Sequence, residues 1–242
     1  MLLVDAGNSR IKFAMFDDGV LGEHLTVDTD IDQPPRKLFR RDSPGRVVIS
    51  NVAGSAVAKK IADWVAAAWP IEPELIAVRE EAAGVTTNYD DITKLGVDRW
   101  LAAVGGYNAV KGSVAVVDAG TALTLDYVSD TGIHLGGSIA PGLNLMLNSL
   151  TRNTARLYLD RVQPTNGIAT NTASAISTGC IDALIGGIER ALNNFATSQN
   201  DPPQWFITGG GAAQIMELCE VEFRHVPDLV LRGLALAAMA RT

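Results

Sequence analysis

The stretch Val4-Asp5-Ala6-Gly7 occurs again as Val117-Asp118-Ala119-Gly120, 113 residues further along the chain. Each copy lies in the same order of patterns: an apolar run, the Asp-Ala-Gly turn, a second run, an acidic turn and a third run. The runs are residues 2–5, 11–16 and 20–26 around the first copy, and 114–118, 121–128 and 132–138 around the second. Apolar runs bounded by turn residues are typical of β-strands, so the repeat predicts two three-stranded meanders.

Helical spacing of apolar residues follows each meander, which predicts an α/β fold built from two similar halves. The predicted helices are residues 56–68, 98–110, 143–151, 173–195 and 229–240, and the further predicted strands are 46–51, 74–78 and 204–208. Clustered proline and other turn residues predict loops at 32–46 and 198–203. We therefore expect two domains, residues 1–110 and 111–242, each opening on antiparallel strands.

The composition is that of a folded chain with little affinity for nucleic acid or a membrane surface. Hydrophobic residues make up 47% of the 242 positions, which is enough for a core and excludes a disordered chain. The 27 acidic residues outnumber the 20 basic ones, the net charge is −7, and the basic cluster at 36–41 is short. Such a charge disfavours contact with polyanions.

Targeting and redox signals favour a cytoplasmic protein. The N-terminus has no basic segment before Asp5, unlike a signal peptide, and apolar runs such as 234–240 are shorter than the roughly 20 residues of a membrane helix. Cys180 and Cys219 are too few for a disulfide framework, and the three scattered histidines do not have zinc-site spacing.

The turn after the first strand has the residues of a phosphate-binding loop. Gly7 lets the backbone approach a ligand, and Asn8 and Ser9 add side-chain donors beside exposed N–H groups. Asp5, at the strand end, can hold Mg²⁺ through water, and Lys12 can reach a phosphate as a point charge. From this copy alone, an ordinary glycine hairpin with an exposed lysine is an equal alternative.

The second copy strengthens the phosphate-binding interpretation. Thr121 stands where Asn8 stands in the first copy, and it contributes a hydroxyl as well as a backbone N–H. Two such loops facing each other would hold a polyphosphate from both sides. The chain has neither Gly-Lys-Ser/Thr after a glycine-rich loop nor Gly-x-Gly-x-x-Gly after a strand, so P-loop and Rossmann sites are not predicted.

Three further segments have both a structural and a functional interpretation. Asp98, in Gly96-Val97-Asp98-Arg99, opens a helix and either caps it or accepts a hydroxyl proton beside a fixed guanidinium. Tyr89 lies in a polar loop, 86–90, which either covers a small substrate or is a surface loop. Thr172 follows Thr170-Asn171, which is interpreted first as an N-cap and second as a substrate contact.

In this order and at these distances, the motifs resemble those of the type III pantothenate kinases, of the acetate and sugar kinase/Hsp70/actin superfamily. The motifs are Asp-x-Gly-Asn-Ser followed by Lys (5–12), Gly-x-Asp-Arg (96–99), Asp-x-Gly-Thr-Ala (118–122) and Gly-Gly-x-Ile-x-Pro-Gly (136–142). The resemblance covers essentially the whole chain. It implies two ribonuclease-H-like domains with a nucleotide cleft between them, and ATP-dependent phosphorylation of pantothenate to 4'-phosphopantothenate, the first step of coenzyme A synthesis. It also implies a homodimer, Mg²⁺, and a monovalent cation, K⁺ or NH₄⁺.

The same resemblance assigns roles to individual residues. The implied ATP contacts are Asp5, Ala6, Gly7, Asn8, Ser9, Arg10, Ile11, Lys12 and Thr121. The implied pantothenate contacts are Tyr89, Gly96, Val97, Asp98, Arg99 and Thr172, with Asp98 as the proton acceptor. Asp118 is similar to the family's monovalent-cation ligand. Ser9 stands where many members have Thr, which preserves the hydroxyl.

Three functions are compatible with these residues. The favoured one is a pantothenate kinase that binds ATP, pantothenate and a second copy of itself, and neither nucleic acid nor membrane. A second is another small-molecule kinase of the same fold, against which the Gly-x-Asp-Arg signature and the short chain count. A third is a nucleotide-binding regulatory protein with little catalysis, since family members include proteins first described as accessory factors in transcriptional regulation. The intact Asp5, Lys12, Asp98 and Asp118 count against the third.

Overall fold

A computed structural model describes residues 1–40, 42–152 and 167–240. The chain forms two compact units. Unit 1 comprises Met1–Val114, Val128–Gly136 and Asp228–Thr242, and unit 2 comprises Ala115–Tyr127 and Gly137–Pro227. The mixed α/β character with two sheets confirms the predicted fold class. The division into domains 1–110 and 111–242 stays a prediction.

Unit 1 begins with the predicted antiparallel meander. Its strands are β1 (Leu2–Ala6), β2 (Arg10–Asp17), β3 (Val20–Leu21) and β4 (Leu25–Asp28). The third predicted run, 20–26, forms β3 and β4 instead of one strand. The reason is that Leu21 pairs with Phe16 and Leu25 pairs with Phe13, so the outer strand has one residue more than β2 over the same stretch. An extra residue of this kind interrupts the ladder as a β-bulge does.

The next elements of unit 1 are α1 (Arg36–Phe39), β5 (Val47–Asn51), α2 (Ser55–Ala68), β6 (Glu74–Leu75), β7 (Glu81–Ala82), β8 (Val85–Thr87), a 3₁₀ helix (Ile92–Lys94) and α3 (Val97–Val110). The sheet order is β3-β2-β1-β5-β6, with β4 also paired to β2. The structure corrects the prediction in two places: α1 lies inside the predicted loop 32–46, and β7 and β8 occupy a stretch without a predicted strand. Elements of two to four residues are too short to show a hydrophobic period.

Unit 2 is built on β9 (Val114–Ala119), β10 (Ala122–Val128), β11 (Ile133–Pro141), α4 (Leu143–Arg152), α5 (Thr172–Ala196), β12 (Gln204–Thr208), α6 (Ala212–Leu218) and β13 (Arg224–His225). The strand order of this sheet is β13-β12-β9-β10-β11-β8-β7, of which β8, β7 and residues 133–136 of β11 belong to unit 1. The short α6 and β13 are additions to the prediction, while the bounds of β9, β10, β12 and α5 agree with it within one or two residues. The last helix, α7 (Leu229–Met239), returns to unit 1.

The sheet of unit 1 has helices on both faces, and this determines where Asp5 lies. Leu2, Val4 and Ala6 pack in one apolar cluster with Trp64 of α2. Because successive side chains of a strand alternate between faces, Asp5 lies on the other face, against which α3 and α7 pack. In the described part of the chain, no helix is both long and apolar enough to cross a membrane.

Candidate phosphate and acceptor sites

The first hairpin loop presents backbone and side-chain donors to solvent. The N–H of Gly7 donates to the carbonyl of Arg10 at 3.0 Å, which closes the turn between β1 and β2. Thr29 supports the loop from outside, because its hydroxyl donates to the carbonyl of Gly7 at 2.8 Å. Asn8 and Ser9 are exposed at the tip of this closed turn. The loop therefore has the form of an anion-binding turn with a fixed backbone.

Asp5 and Lys12 lie opposite each other on β1 and β2. They form a register pair of the antiparallel ladder, so their side chains share one face of the sheet. Asp5 is 9% exposed and Lys12 is half-buried. On the other side of Asp5, the parallel strand β5 places Ser50 in register with it. The hydroxyl of Ser50 is buried and has no hydrogen-bond partner among the described residues.

The second loop, Asp118-Ala119-Gly120-Thr121, is held in unit 2 by close backbone contacts. The N–H of Gly120 donates to the carbonyl of Ala122 at 3.1 Å, and the N–H of Gly142 donates to the carbonyl of Thr121 at 3.0 Å. A Cβ on Gly142 would lie 2.6 Å from the carbonyl oxygens of Gly120 and Thr121. Gly142, the last glycine of the 136–142 motif, is thus needed where its backbone contacts this loop. Thr121 is exposed at the tip of the loop.

Asp118 lies against the triglycine turn that follows β12. Gly209 has φ +89°, and a Cβ there would overlap Oδ1 of Asp118 and the backbone of Ala119. The N–H of Gly211 donates to the carbonyl of Ala119 at 2.9 Å. Thr208, just before the turn, is 1% exposed, and its hydroxyl has no hydrogen-bond partner within residues 1–40, 42–152 and 167–240. A half-buried carboxylate and a buried hydroxyl therefore flank a turn whose first residue, Gly209, admits only glycine.

Replacing Gly209 with Ala is expected to destabilise the protein more than a Gly→Ala substitution at a position where only the positive φ is unfavourable. A positive φ costs an L side chain about 1–2 kcal/mol, and the overlap with Asp118 adds about 1–3 kcal/mol. Gly19→Ala is the matched control, because Gly19 has φ +82° with no described atom within 4 Å of the added Cβ. Urea unfolding of the two variants measures the difference. Equal losses would show that Asp118 and the backbone of Ala119 do not fill the space beside Gly209.

The start of α3 holds the predicted proton acceptor. Gly96 is the N-cap residue, and Asp98 is in the first helical turn. Oδ1 of Asp98 accepts a hydrogen bond from the N–H of Arg99 at 2.8 Å. A Cβ on Gly96 would lie 2.6 Å from that oxygen, so a larger residue at this position would displace the carboxylate of Asp98. The carboxylate thus satisfies one N–H of the helix end while its side chain is half-buried, and the two interpretations of Asp98 are compatible.

Arg99 and Tyr89 form a contact next to Asp98. Arg99 is 6% exposed, and its Nη1 donates to the hydroxyl of Tyr89 at 3.3 Å. The guanidinium carbon also lies 5.9 Å from the centre of the Tyr89 ring, within the range of a cation–π interaction. The predicted residues Tyr89, Asp98 and Arg99 therefore come together in unit 1, although the predicted polar loop 86–90 begins with two residues of β8.

Thr172 is the first residue of α5 and is exposed. The N-cap is Asn171, whose Oδ1 accepts a hydrogen bond from the N–H of Ser174 at 2.9 Å. This confirms the capping interpretation of the segment and leaves Thr172 on the surface of unit 2. Within the described ranges, no group of three or more His, Cys, Asp or Glu side chains is arranged to hold a metal ion.

Several groups beside these residues have no signal in the sequence. Ser50, Thr208 and His134 lie next to predicted site residues only because strands distant in the sequence pair with one another, while Thr87 lies in the predicted polar loop 86–90 but was not itself assigned a role. A lone serine or threonine at the end of an apolar strand matches no motif. The scattered spacing of the histidines argues against a multi-histidine metal site and predicts nothing about His134 itself.

Comparison with solved structures defines the class of fold. A protein from Campylobacter jejuni, described as a Baf family transcriptional activator, has a TM-score of 0.65 at 21% identity and aligns over 100% of this chain and 98% of its own. A protein from Sinorhizobium meliloti, described as a 2-dehydro-3-deoxygalactonokinase, has a TM-score of 0.56 at 15% identity over 99% and 98% of the two chains. At these identities the similarity defines the fold alone, a mixed α/β fold that this chain shares with both proteins over nearly its whole length.

Sequence comparison defines the family within that class. The family model of type III pantothenate kinases matches residues 1–194. A curated type III pantothenate kinase of Nitrosococcus oceani is 36% identical over 248 aligned positions, which cover 98% of this chain and 93% of the relative. This chain belongs to the type III pantothenate kinase family.

Proposed function

We propose that this protein transfers the γ-phosphoryl group of ATP to the primary hydroxyl of pantothenate, giving 4'-phosphopantothenate, the first step of coenzyme A synthesis. The observation that carries the proposal is the half-buried carboxylate of Asp98, fixed at the start of α3 beside the Arg99–Tyr89 pair. The relatives named type III pantothenate kinase supply the identity of the acceptor.

Each of the two glycine loops has residues that suit binding of phosphate groups of ATP. Phosphoryl transfer passes through a loose transition state, so positioning and neutralisation of charge on the outer oxygens do most of the work. The closed turn at Gly7 fixes the donors of Asn8 and Ser9, and Lys12 adds a positive charge on the neighbouring strand. Thr121 offers a hydroxyl and an N–H from the second loop. Ala6, Arg10 and Ile11 contribute the backbone of the first loop.

The residues around Asp5 fit a hydrated Mg²⁺ ion. Magnesium prefers oxygen ligands and keeps several waters, and one carboxylate at a strand end with a buried hydroxyl beside it suits such a shell. Asp5 supplies that carboxylate, and the hydroxyl of Ser50, in register with it, has no partner among the described residues. When bound, the ion neutralises phosphate charge that develops during transfer.

Asp118 fits the role of ligand for a monovalent cation, K⁺ or NH₄⁺. Its carboxylate lies against Gly209, where a Cβ would fill the space, and the buried hydroxyl of Thr208 precedes that glycine. Oxygen atoms of this kind coordinate weakly hydrated cations. The hydrogen bond that the N–H of Gly211 donates to the carbonyl of Ala119 holds these oxygens in place.

The acceptor hydroxyl is activated by Asp98. A carboxylate beside the acceptor hydroxyl can accept its proton as the new O–P bond forms. Gly96 and Val97 hold the backbone close to the carboxylate, while Arg99 and Tyr89 contact the remainder of pantothenate. A contact of Thr172 with pantothenate is supported by the family resemblance alone. A positioned base lowers the barrier by roughly 3–5 kcal/mol.

We further propose a cytoplasmic homodimer. Three large apolar side chains on β11 and α4 of unit 2 are exposed by 62%, 46% and 44%: Ile139, Leu145 and Leu150. Large apolar side chains exposed in this way are covered when a chain associates with a second copy, provided that they form one patch. Light scattering after gel filtration tests the assembly, and a monomer at micromolar concentration would contradict it.

A coupled assay of ADP release tests the proposed function against its alternatives. Pantothenate, a panel of sugars and a panel of small acids are offered with ATP, MgCl₂ and KCl. We expect ADP release with pantothenate, and a lower rate when NaCl replaces KCl. Turnover on a sugar or another acid alone would identify a different kinase. A rise in melting temperature with ATP, without turnover on any acceptor, would identify a nucleotide-binding regulator.

A further inference from the structure

We infer that His134 is a positioning residue for the acceptor end of the site, acting through Tyr89 on Arg99. The inference rests on the proposed function, because it concerns pantothenate binding. His134 lies on β11 within unit 1, is 0% exposed, and is separated in sequence from the residues that it contacts. Three independent contacts connect it to the segment that carries Tyr89.

The first contact is made by the backbone of His134. His134 is in parallel register with Thr87, the last residue of β8. Its carbonyl then accepts a hydrogen bond from the N–H of Asn88 at 3.0 Å, one residue beyond the strand. The segment leaving β8 toward Tyr89 is therefore attached to β11 at the position of this histidine.

The second contact is made by the imidazole nitrogen. Nδ1 of His134 is hydrogen-bonded to the hydroxyl of Thr87 at 3.0 Å. The same hydroxyl oxygen accepts a hydrogen bond from the N–H of Tyr89 at 3.2 Å. Thr87 thus joins the buried imidazole directly to the backbone of Tyr89.

The third contact is made by the ring faces. The rings of His134 and Tyr89 are nearly parallel, at 15°, with centres 6.3 Å apart. The ring of Trp100, on α3, meets His134 edge-on with centres 6.0 Å apart. Both distances lie in the range of aromatic pairs. His134 is therefore placed between the loop that carries Tyr89 and the helix that carries Asp98 and Arg99.

These contacts determine where the phenol of Tyr89 lies, and the phenol in turn accepts the hydrogen bond from Arg99. None of the contacts just described involves the loop at Gly7, which binds phosphate in the proposed function. Loss of the histidine should therefore weaken binding of the acceptor and leave binding of ATP unchanged. A residue that merely stabilises unit 1 would not separate the two substrates in this way.

The test compares KM for pantothenate and for ATP in His134→Ala, His134→Phe and Thr87→Val. A hydrogen bond and an aromatic pair each change an equilibrium by roughly two- to tenfold, so we expect His134→Ala to raise KM for pantothenate by about tenfold or more. His134→Phe keeps a ring and should rescue part of that loss. In all three variants KM for ATP should stay within about twofold of the wild type, as expected when the interactions removed do not touch the nucleotide.

Trp64→Leu is the control for loss of a buried ring elsewhere in unit 1. Trp64 is 8% exposed and packs edge-on to Phe39, away from Tyr89. Trp64→Leu should lower the melting temperature without changing KM for pantothenate or KM for ATP. If His134→Ala does not fold, His134→Phe and Thr87→Val decide the question with the same readout.

Three results would overturn the inference. Variants of His134 and Thr87 that lose stability but keep the wild-type KM for pantothenate would show a purely structural role, as would a parallel rise in both KM values. Wild-type protein that does not turn over pantothenate would overturn the proposed function together with the inference. Since the wild-type assay comes first, the two failures are distinguished.

Discussion

Asparagine in place of Asp98 is expected to lower turnover of pantothenate by about 10²–10⁴-fold, which is the usual contribution of a positioned general base. The amide has nearly the size of the carboxylate but cannot accept the proton of the acceptor hydroxyl. Its Oδ1 can still accept the hydrogen bond that the N–H of Arg99 donates at 2.8 Å. The free energy of unfolding should therefore fall by no more than about 1 kcal/mol, the value of a charge at a helix N-terminus.

Turnover, ATP affinity by calorimetry and thermal unfolding together check this result. Asp91→Asn is the matched control, because Oδ1 of Asp91 accepts a hydrogen bond from the N–H of Thr93 at 2.9 Å at the start of the neighbouring 3₁₀ helix. Asp91 is exposed and is not assigned to the site. Asp91→Asn should therefore retain the wild-type turnover of pantothenate. Wild-type turnover in Asp98→Asn would remove Asp98 from the mechanism.

Alanine in place of Gly233 is expected to destabilise the protein strongly, because two helix backbones meet at this residue. Gly233 lies in α7 where that helix crosses α3, and a Cβ there would overlap the carbonyl and Cα of Leu101. From the other helix, a Cβ on Gly105 would lie 2.7 Å from the carbonyl oxygen of Leu229. The two glycines allow the backbones to touch. Forcing them apart costs about 3 kcal/mol or more, at the upper end of overpacking effects.

The matched control for Gly233→Ala is Gly187→Ala. Gly187 is an exposed residue of α5, and no described atom lies within 4 Å of its added Cβ. There the substitution should stabilise by about 0.5–1 kcal/mol, because alanine is the better helix former. Urea unfolding measures both variants. A stabilised Gly233→Ala would mean that α3 and α7 do not pack as closely as described.

Much of the fold follows from the sequence because the repeat carries two signals at once. The Asp-Ala-Gly turn marks the end of β1 and of β9, and the change to helical spacing marks α2, α3, α5 and α7 within one or two residues. The short elements have no such signal. A two-residue strand such as β7 or β13 exists because of the strand beside it, so only the assembled sheet reveals it.

The candidate site likewise contains residues that local motifs predict and residues that only the structure reveals. Tyr89, Asp98 and Arg99 were predicted from local motifs, and the structure brings them into contact in unit 1. His134 was not predicted as part of that group, because it reaches Tyr89 from another strand, 47 residues beyond Thr87. The functional roles of Tyr89, Asp98 and Arg99, like those of Asp5, Asp118, Thr121, Thr172 and the other predicted site residues, stay predictions.

The most direct test of the proposed function is the identity of the phosphorylated product. Wild-type protein is incubated with ATP, MgCl₂, KCl and pantothenate, and the mixture is followed by ³¹P NMR. We expect the γ-phosphate signal to be replaced by a phosphomonoester coupled to the methylene protons of the pantothenate alcohol, with ADP in equal amount. ADP accompanied only by inorganic phosphate, or an unchanged ATP spectrum, would contradict the account.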